Sequence, residues 1–324
     1  MHKKTDNNLK SMTDWKYEHR MNNGKITFTI IPSIKIRIPN TLFKYYSINK
    51  KSISALTKNY VYASKPEQLN DIFDCDERLI DTKDDDFLTK FYEGLPSTKD
   101  NKSSESQVAA SFLKTFFYDR IGILSLTESP SNYLMWAYYT NHKGFAVEFD
   151  YNEFEFVHHG PFPINYCENI SKIKLTKDTV ANAFLYQTNI KTSAWKHEKE
   201  WRILIECPEN HLFNGESIKV LSHHKLHNQK FHYNKNAIKS VYLGFNFFNR
   251  GLHGLEPEVK QLSNKELLVE LKENKRLKMS LLNYLAKNKT TTYITGMVKD
   301  RFDLTFTESK VEKLSQFEYK IYAC

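Results

Sequence analysis

Apolar residues along this chain occur mainly in short runs that are separated by polar, turn-forming residues. Three of these runs, 121–126, 144–150 and 201–207, are apolar enough to be buried strands, and we expect them in the central sheet. Further strands are predicted within 25–38, where a proline separates two short apolar stretches, and within 290–305. Shorter strands are expected at 42–46, 60–64 and 238–243.

Helical periodicity is weaker and falls between the predicted strands. Residues 132–139 and 181–190 have apolar positions at helical spacing, and 256–272 is rich in helix-forming residues. A charged, serine-rich connection at 81–106 is expected to be mobile, with a short helix near 87–94. Strand clusters with intervening helices indicate an α+β fold with a mixed, mainly antiparallel sheet and flanking helices.

The same pattern suggests how the chain is divided. Residues 1–40 are expected to be an N-terminal extension with short strands, since the first 24 are polar and loose or in a short helix. Residues 41–310 are expected to form a single α+β catalytic-like domain, and 311–324 a C-terminal tail. A chain of 324 residues with 40% hydrophobic residues, 22 Phe and 19 Tyr can bury such a core and is not globally disordered.

The net charge of +9 favours anionic partners in general. The basic residues are scattered rather than grouped, so ordinary solubility and a nucleic-acid-binding face both remain open. The sequence has neither the glycine pattern GxGxxG of dinucleotide-binding folds nor the phosphate-binding pattern GxxxxGK[ST].

The cysteines, the N-terminus and the histidines point to a cytoplasmic protein without a metal. Four cysteines are widely spaced, which indicates reduced thiols. The first residues lack the apolar core of a signal peptide, and no apolar run reaches the ~20 residues of a membrane helix, so no membrane partner is expected. His223, His224, His227 and His232 lack partners at metal-binding spacing and are interpreted as part of a polar linker.

A pair of glutamates, Glu198 and Glu200, lies at the start of the apolar run 201–207. Side chains two residues apart in a strand lie on the same face, so the two carboxylates are expected side by side. Adjacent carboxylates are costly unless cations, hydrogen bonds or chemistry accompany them. The alternative to a catalytic pair is a surface charge ladder, in which Glu200 pairs with Arg202 and Glu198 with Lys196.

Several short motifs resemble a bacterial group known as domain-of-unknown-function family 2971. The match runs from about residue 42 to 244, and Tyr138 departs from it because relatives often have a histidine there. The motifs are Phe43-Lys44-Tyr45, Asn70-Asp71-Ile72-Phe73-Asp74, Ser125-Leu126-Thr127, Met135-Trp136-Ala137-Tyr138-Tyr139, Gly144, and Trp195 through Arg202.

The order of the motifs also resembles, more weakly, that of the ADP-ribosyltransferase superfamily, which cleaves NAD at its nicotinamide bond. Lys44 lies where those enzymes have Arg or His, and Ser125-Leu126-Thr127 replaces their Ser-Thr-Ser strand. Glu198-Lys199-Glu200 matches their acidic pair. The departures are the loss of planar hydrogen bonding at Lys44 and the loss of one hydroxyl at Leu126. The resemblance implies a split-sheet, ADP-ribosyltransferase-like fold and NAD as cosubstrate.

This resemblance implies catalytic roles for the glutamates. Glu200 would stabilise the positive charge that develops on the ribose, and Glu198 would orient or deprotonate the acceptor. Ser125 would hold the Glu200 carboxylate or the ribose, with support from Thr127. The alternative for Ser125 and Thr127 is that they are ordinary polar positions of a strand.

The remaining candidates are cofactor-binding residues. Lys44, with Tyr45, would contact the diphosphate or adenosine ribose, although Lys44 fits a strand-edge lysine equally well. Trp136 and Tyr139 would shape the nicotinamide pocket or else be core aromatics. Asn70 would lie at the pocket rim, or would stabilise a turn together with Asp71 and Asp74.

The leading hypothesis is therefore an NAD-consuming ADP-ribosyltransferase or NAD glycohydrolase, with a role as a bacterial toxin or phage-defence effector as a further expectation. Its acceptor, a protein or a nucleic acid, is not indicated by the sequence. A non-catalytic nucleic-acid-binding module of a defence system is one alternative. A metal-dependent nuclease that uses Asp71, Asp74 and the glutamates is another.

Overall fold

The computed structural model describes residues 15–22, 25–81, 121–174, 180–206, 229–248 and 259–324. They form an α+β structure that is mostly strands, with few helices. The chain divides into two compact units. Unit 1 comprises Met1–Ile38, Ala63–Ser125 and Phe156–Gln229, and unit 2 comprises Pro39–Tyr62, Leu126–Glu155 and Lys230–Cys324.

The described elements are numbered in chain order. The helices are α1 (Lys50–Thr57), α2 (Tyr133–Thr140), α3 (Val180–Gln187) and α4 (Arg276–Asn288). The strands are β1 (Lys16–Asn22), β2 (Lys25–Ile31), β3 (Leu42–Tyr46), β4 (Tyr60–Tyr62), β5 (Ile80–Asp81), β6 (Ile121–Thr127), β7 (Phe145–Phe149), β8 (His158–Pro163), β9 (Asn165–Cys167), β10 (Ile173–Lys174), β11 (Ile190–Thr192), β12 (Glu200–Glu206), β13 (Lys230–His232), β14 (Ile238–Leu243), β15 (Val259–Ser263), β16 (Glu266–Glu270), β17 (Thr291–Met297), β18 (Leu304–Lys313) and β19 (Glu318–Ala323).

Unit 1 is organised around β12, which pairs antiparallel with β8 and has β6 as its other neighbour. Strands β1 and β2 form an antiparallel pair, whereas β5 pairs parallel with β10 and β9 parallel with β11. The core contains Tyr17, Phe28, Ile123, Phe184 and Leu204. The side chains of α3 from Ala181 to Gln187 are all buried in this core.

Among the described residues of unit 2, eight strands are hydrogen-bonded side by side in the order β15-β16-β19-β18-β17-β14-β7-β3. Neighbouring strands are antiparallel except β14 and β17, which are parallel. Its core includes Phe43, Tyr45, Trp136, Ala146 and Tyr242. A second, short pair is formed by β4 and β13.

The structure confirms the strands that the apolar runs predict most strongly. Residues 121–126, 144–150 and 201–207 correspond to β6, β7 and β12. The predicted helices at 132–139 and 181–190 correspond to α2 and α3, within a few residues at each end. The predicted helix at 87–94 and the histidines at 223, 224 and 227 lie outside the described residues.

The helix predicted at 256–272 is wrong. Residues 256–272, which have a helix-forming composition, contain the antiparallel strands β15 and β16 instead. Strand β16 pairs with β19, and this pairing buries Val269 completely. Local helix propensity is only a few tenths of a kcal/mol per residue, so the burial of one face of a strand outweighs it.

The two ends of the chain also differ from expectation. Residues 16–22 form strand β1 rather than a loose segment, and 35–38 form no strand. Residues 311–324 include the end of β18 and the whole of β19, in which Tyr319 and Ile321 are buried. Apolar side chains on every second residue explain the strand in the segment that the sequence sets apart as a tail. In the described part of the chain, no helix is long and apolar enough to span a membrane.

Gly144 provides a test of the packing between β3 and the turn after α2. A methyl group at Gly144 would lie 2.1 Å from the Tyr46 carbonyl oxygen and 2.8 Å from Thr140 Cβ. Gly144→Ala should therefore lower the free energy of unfolding by about 2 kcal/mol or more, because backbone atoms cannot move aside cheaply. Gly296→Ala is the matched control, since its methyl group would meet only the rotatable Thr305 hydroxyl. Equal losses in denaturant titrations of the two variants would contradict this account.

Candidate active site

The two glutamates are brought together by a backbone reversal rather than by a continuous strand. Glu198 ends a 3₁₀ helix (Ser193–Glu198), Lys199 adopts a left-handed conformation with φ of 46°, and Glu200 begins β12. The expectation that both carboxylates lie side by side is met, but the predicted reason, strand alternation, is wrong for Glu198. Both residues are buried, with exposures of 2% and 4%.

The ammonium group of Lys191 joins the two carboxylates. Lys191 lies on β11, and its Nζ is 2.6 Å from Glu198 Oε2 and 2.9 Å from Glu200 Oε2. Lysine is rarely buried without partners, and here it is 2% exposed. Its Nζ also lies 4.9 Å from the centre of the Trp195 ring, at a distance suited to a cation–π contact. Glu198 is therefore a buried partner of Lys191 and not part of a surface charge ladder.

Arg202 extends the cluster to a distant part of unit 1. Its Nε donates to Glu200 Oε1 at 2.8 Å, and its two terminal nitrogens bind Asp74 at 2.8 and 2.5 Å. One of these nitrogens also donates to the Thr188 carbonyl oxygen at 2.6 Å. Glu200 and Arg202 share a strand face, as the charge-ladder alternative requires. The ladder is buried rather than on the surface, however, because Arg202 is 1% exposed.

Two hydroxyl-bearing side chains complete the surroundings of Glu200. The Ser125 side chain, from β6, hydrogen-bonds to the Glu200 carboxylate. The Glu200 backbone N–H donates to the Tyr166 hydroxyl oxygen at 2.8 Å. Burial, and next the charge of Glu200, raise the pKa of Tyr166 well above its usual range, so this phenol stays protonated.

The charges in this cluster stabilise one another. Burial alone would raise the pKa of the Glu200 carboxyl, but Arg202 and Lys191 outweigh it and lower the pKa to about 2. Burial would lower the pKa of Lys191, but Glu200 and Glu198 raise it above its ordinary value. The cluster contains three carboxyl groups (Asp74, Glu198, Glu200) and the two cations Lys191 and Arg202.

Asp71 lies beside this cluster in the chain and shapes the turn that contains Asp74. Its Oδ1 accepts from the Phe73 N–H at 3.0 Å, and its backbone oxygen accepts from the Asp74 N–H at 3.0 Å. The turn expected here is thus confirmed, although Asp74 forms a buried ion pair instead of a helix cap. Among the described residues, no group of three or more His, Cys, Asp or Glu is arranged to hold a metal ion.

The other predicted site residues are divided between the two units. Asn70 lies in unit 1 and is exposed. Lys44 and Tyr45, both on β3, belong to unit 2, as do Thr127, Trp136 and Tyr139. The structure brings Glu198, Glu200 and Ser125 together within unit 1. Convergence of Lys44 or Tyr45 on these residues stays a prediction.

Within unit 2, Tyr45 and Trp136 lie together in the core. Their rings pack edge to face with centres 4.9 Å apart, and Trp136 is fully buried. The Trp136 Nε1 donates to the Pro130 carbonyl oxygen at 2.7 Å, and the Tyr45 hydroxyl donates to the Ser129 carbonyl oxygen at 3.1 Å. Tyr139 and Lys44 are half-buried, whereas Thr127 is buried and pairs with Phe43 across β6 and β3.

Sequence reasoning missed Lys191 and Tyr166. Lys191 occurs between Ile190 and Thr192, within a short strand next to a buried helix, where a lysine is unusual. Two carboxylates that are predicted to be adjacent require a cation, but nothing in the sequence around Lys191 distinguishes it from Lys196 or Lys199. Tyr166 had no signal either, because tyrosine is common throughout this chain.

Residues 135–203 match the model of a family described as "Protein of unknown function (DUF2971)". The match confirms the resemblance over the segment that includes Trp136, Gly144, Glu198 and Glu200. The motifs that contain Lys44, Asn70 and Ser125 lie outside it. No curated protein and no solved structure matches the chain.

Replacing Arg202 by leucine should lower the free energy of unfolding by about 3–5 kcal/mol, because Asp74 and Glu200 would be left buried without their cation. Arg276→Leu is the matched control, since the Arg276–Glu273 ion pair is exposed and such pairs contribute little. Denaturant titrations that give equal stabilities for the two variants would contradict the role assigned to Arg202.

The pKa of Glu200 predicts a loss of stability in acid. A carboxyl whose pKa falls from 4.5 to about 2 on folding adds stability that is complete above pH 4.5 and is lost as the pH falls toward 2. The contribution is on the order of 3 kcal/mol. In Glu200→Gln, unfolding free energies measured between pH 5 and pH 2 should fall less steeply than in the parent chain. An unchanged dependence of the unfolding free energy on pH would mean that folding does not lower the pKa of Glu200.

Proposed function

We propose that the chain cleaves the nicotinamide–ribose bond of NAD, as an ADP-ribosyltransferase or an NAD glycohydrolase, with Glu200 facing the ribose. The observation that carries this proposal is the hydrogen bond between the Ser125 side chain and the Glu200 carboxylate. Ser125 begins the strand motif Ser125-Leu126-Thr127, and Glu200 ends the acidic motif Glu198-Lys199-Glu200. The resemblance described above implies that Ser125 holds the Glu200 carboxylate.

The electrostatics of the cluster suit this reaction. When the bond breaks, its electron pair leaves with nicotinamide and positive charge develops on the ribose, as in glycoside hydrolysis. A carboxylate that is already ionised and fixed in position stabilises such a charge without reorganisation. The low pKa of Glu200 keeps it ionised, so its negative charge is present before the bond breaks.

Glu198 would act on the acceptor. An oxygen or nitrogen of the acceptor forms the new bond to the ribose carbon, and its proton passes to Glu198. With water as the acceptor the products are nicotinamide and ADP-ribose, and with another acceptor the ADP-ribosyl group is transferred to it. A role as a toxin or phage-defence effector is part of the proposal and rests on the resemblance alone.

Burial sets a condition on this mechanism. Glu198 and Glu200 are almost inaccessible, so contact with a ribose requires that covering groups move when NAD binds. Lys191 is the group that we expect to move, because its ammonium lies between the two carboxylates. Its stem of single bonds allows the ammonium to shift while one of the two ion pairs is kept.

Glu200→Gln should lower the rate of nicotinamide release from NAD by about 10²–10³-fold, because the substitution keeps the size and removes the charge. Glu198→Gln should slow transfer to an acceptor more than hydrolysis. Glu148→Gln is the matched control. Glu148 lies on β7 of unit 2 and accepts hydrogen bonds from the Thr41 and Ser240 hydroxyls, so this variant should keep the parent rate.

Nicotinamide release is measured by chromatography with water, protein and nucleic acid as acceptors, at a temperature at which circular dichroism shows that each variant is folded. The proposal is wrong if the parent chain releases no nicotinamide with any of these acceptors. It is also wrong if a folded Glu200→Gln variant retains the parent rate.

A further inference from the structure

We infer that unit 2 carries a binding groove for single-stranded nucleic acid, formed where α4 begins and where β3 and α2 end. Two cavities of about 480 and 620 Å³ adjoin here and share Ile48, Lys275 and Lys278. We call them together the α4 groove. Each has the size of a typical ligand pocket, so the groove is too large for a single phosphate ion. This inference is independent of the NAD reaction proposed above.

The α4 groove is strongly basic. Lys143, Lys275, Arg276 and Lys278 line it, and Glu273 is the acidic residue among the described lining residues. Glu273 already forms an ion pair with Arg276. Lys275 and Lys278 are half-buried, and Lys278 Nζ lies 5.3 Å from the centre of the Phe247 ring, which restricts the position of this side chain. The groove therefore holds positive charge in place at a concave surface.

The start of helix α4 adds to this positive potential. The helix has 13 residues, its N-cap residue Lys275 makes no side-chain capping hydrogen bond, and its first turn contains no acidic residue. Cations at the positive end of a helix are unfavourable, and an anion bound there would relieve the repulsion. The first backbone N–H groups of a helix are also suitable donors to phosphate oxygens.

Tyrosine side chains at the groove indicate which anion it binds. Tyr138 is 65% exposed, and Tyr139 is half-buried with its carbonyl oxygen bound by the Ser47 hydroxyl. An exposed aromatic ring beside fixed cations suits an unpaired strand, because a base stacks on the ring while the cations contact phosphates. The bases of a duplex are already stacked and cannot use such a ring. The net charge of +9 would attract the strand from a distance.

The lysines are tested by fluorescence anisotropy of the full chain with a labelled 12-nucleotide oligothymidine at 0.05–0.3 M salt. Lys143→Ala combined with Lys275→Ala should weaken binding by roughly 25-fold at 0.1 M salt and reduce the salt slope by about 1.4, which is about 0.7 per lost phosphate contact. Lys299→Ala combined with Lys310→Ala is the control, because these exposed lysines of unit 2 lie outside the groove. Equal losses in the two double variants would overturn the inference in favour of general charge attraction.

Stacking is tested on helix α2, which carries a matched pair of exposed tyrosines. Tyr138→Ala should weaken binding of the same oligothymidine by about fivefold or more, as expected for the loss of one stacked base. Tyr133→Ala, on the same helix and 54% exposed, does not line the groove and should have little effect. Thermal melts of both variants must match the parent.

Competition experiments decide the class of ligand. Unlabelled oligothymidine should displace the probe far better than a blunt duplex of equal length or AMP at equal nucleotide concentration. If AMP displaces the probe as effectively as the oligomer does, the inference of a single-stranded nucleic acid is wrong and the groove binds a small phosphorylated ligand. Equal displacement by the duplex, or no binding of the probe at 0.05 M salt, would also overturn the inference.

Discussion

The buried guanidinium of Arg202 is the constraint on which the candidate site depends. An arginine cannot lose its charge inside a protein, so its N–H donors need acceptors from the segments packed around it. In unit 1 these acceptors come from the turn at Asp74, from the Thr188 carbonyl oxygen after α3, and from Glu200 on β12. The Glu200 carboxylate is therefore tied through Arg202 to the Asp74 turn and to the end of α3, and Lys191 joins it to Glu198.

Burial makes this arrangement costly, and the chemistry proposed for it gives a reason for the cost. Replacing a buried ion network with apolar residues of similar volume is often neutral or stabilising, so stability alone does not explain why five charged groups are placed together. An ionised carboxylate with fixed orientation is useful where a positive charge develops during a reaction. Arg202 and Lys191 hold Glu200 in the charged state and are buried with it, so substrate cannot reach the carboxylate until the neighbouring groups move.

The sequence predicted the parts of this structure that depend on local pattern. The apolar runs identified β6, β7 and β12, and strand alternation placed Glu200 and Arg202 on one face. The left-handed residue at Lys199 could not be foreseen, because neither glycine nor asparagine marks that position. The Lys191 and Asp74 contacts depend on how distant segments pack. In β15 and β16, pairing with β19 overrides a helix-forming composition, which a single sequence does not reveal.

The cluster also makes the opening of unit 1 a collective event. If the Asp74 turn separated from the start of β12, a buried charge would lose its partner, and if the end of α3 moved away, a donor of the Arg202 guanidinium would lose its acceptor. Opening one segment alone is therefore unfavourable, and the three segments act as one cooperative unit. Amide hydrogens in these three segments, which are far apart in the chain, should exchange with solvent deuterium at a common rate.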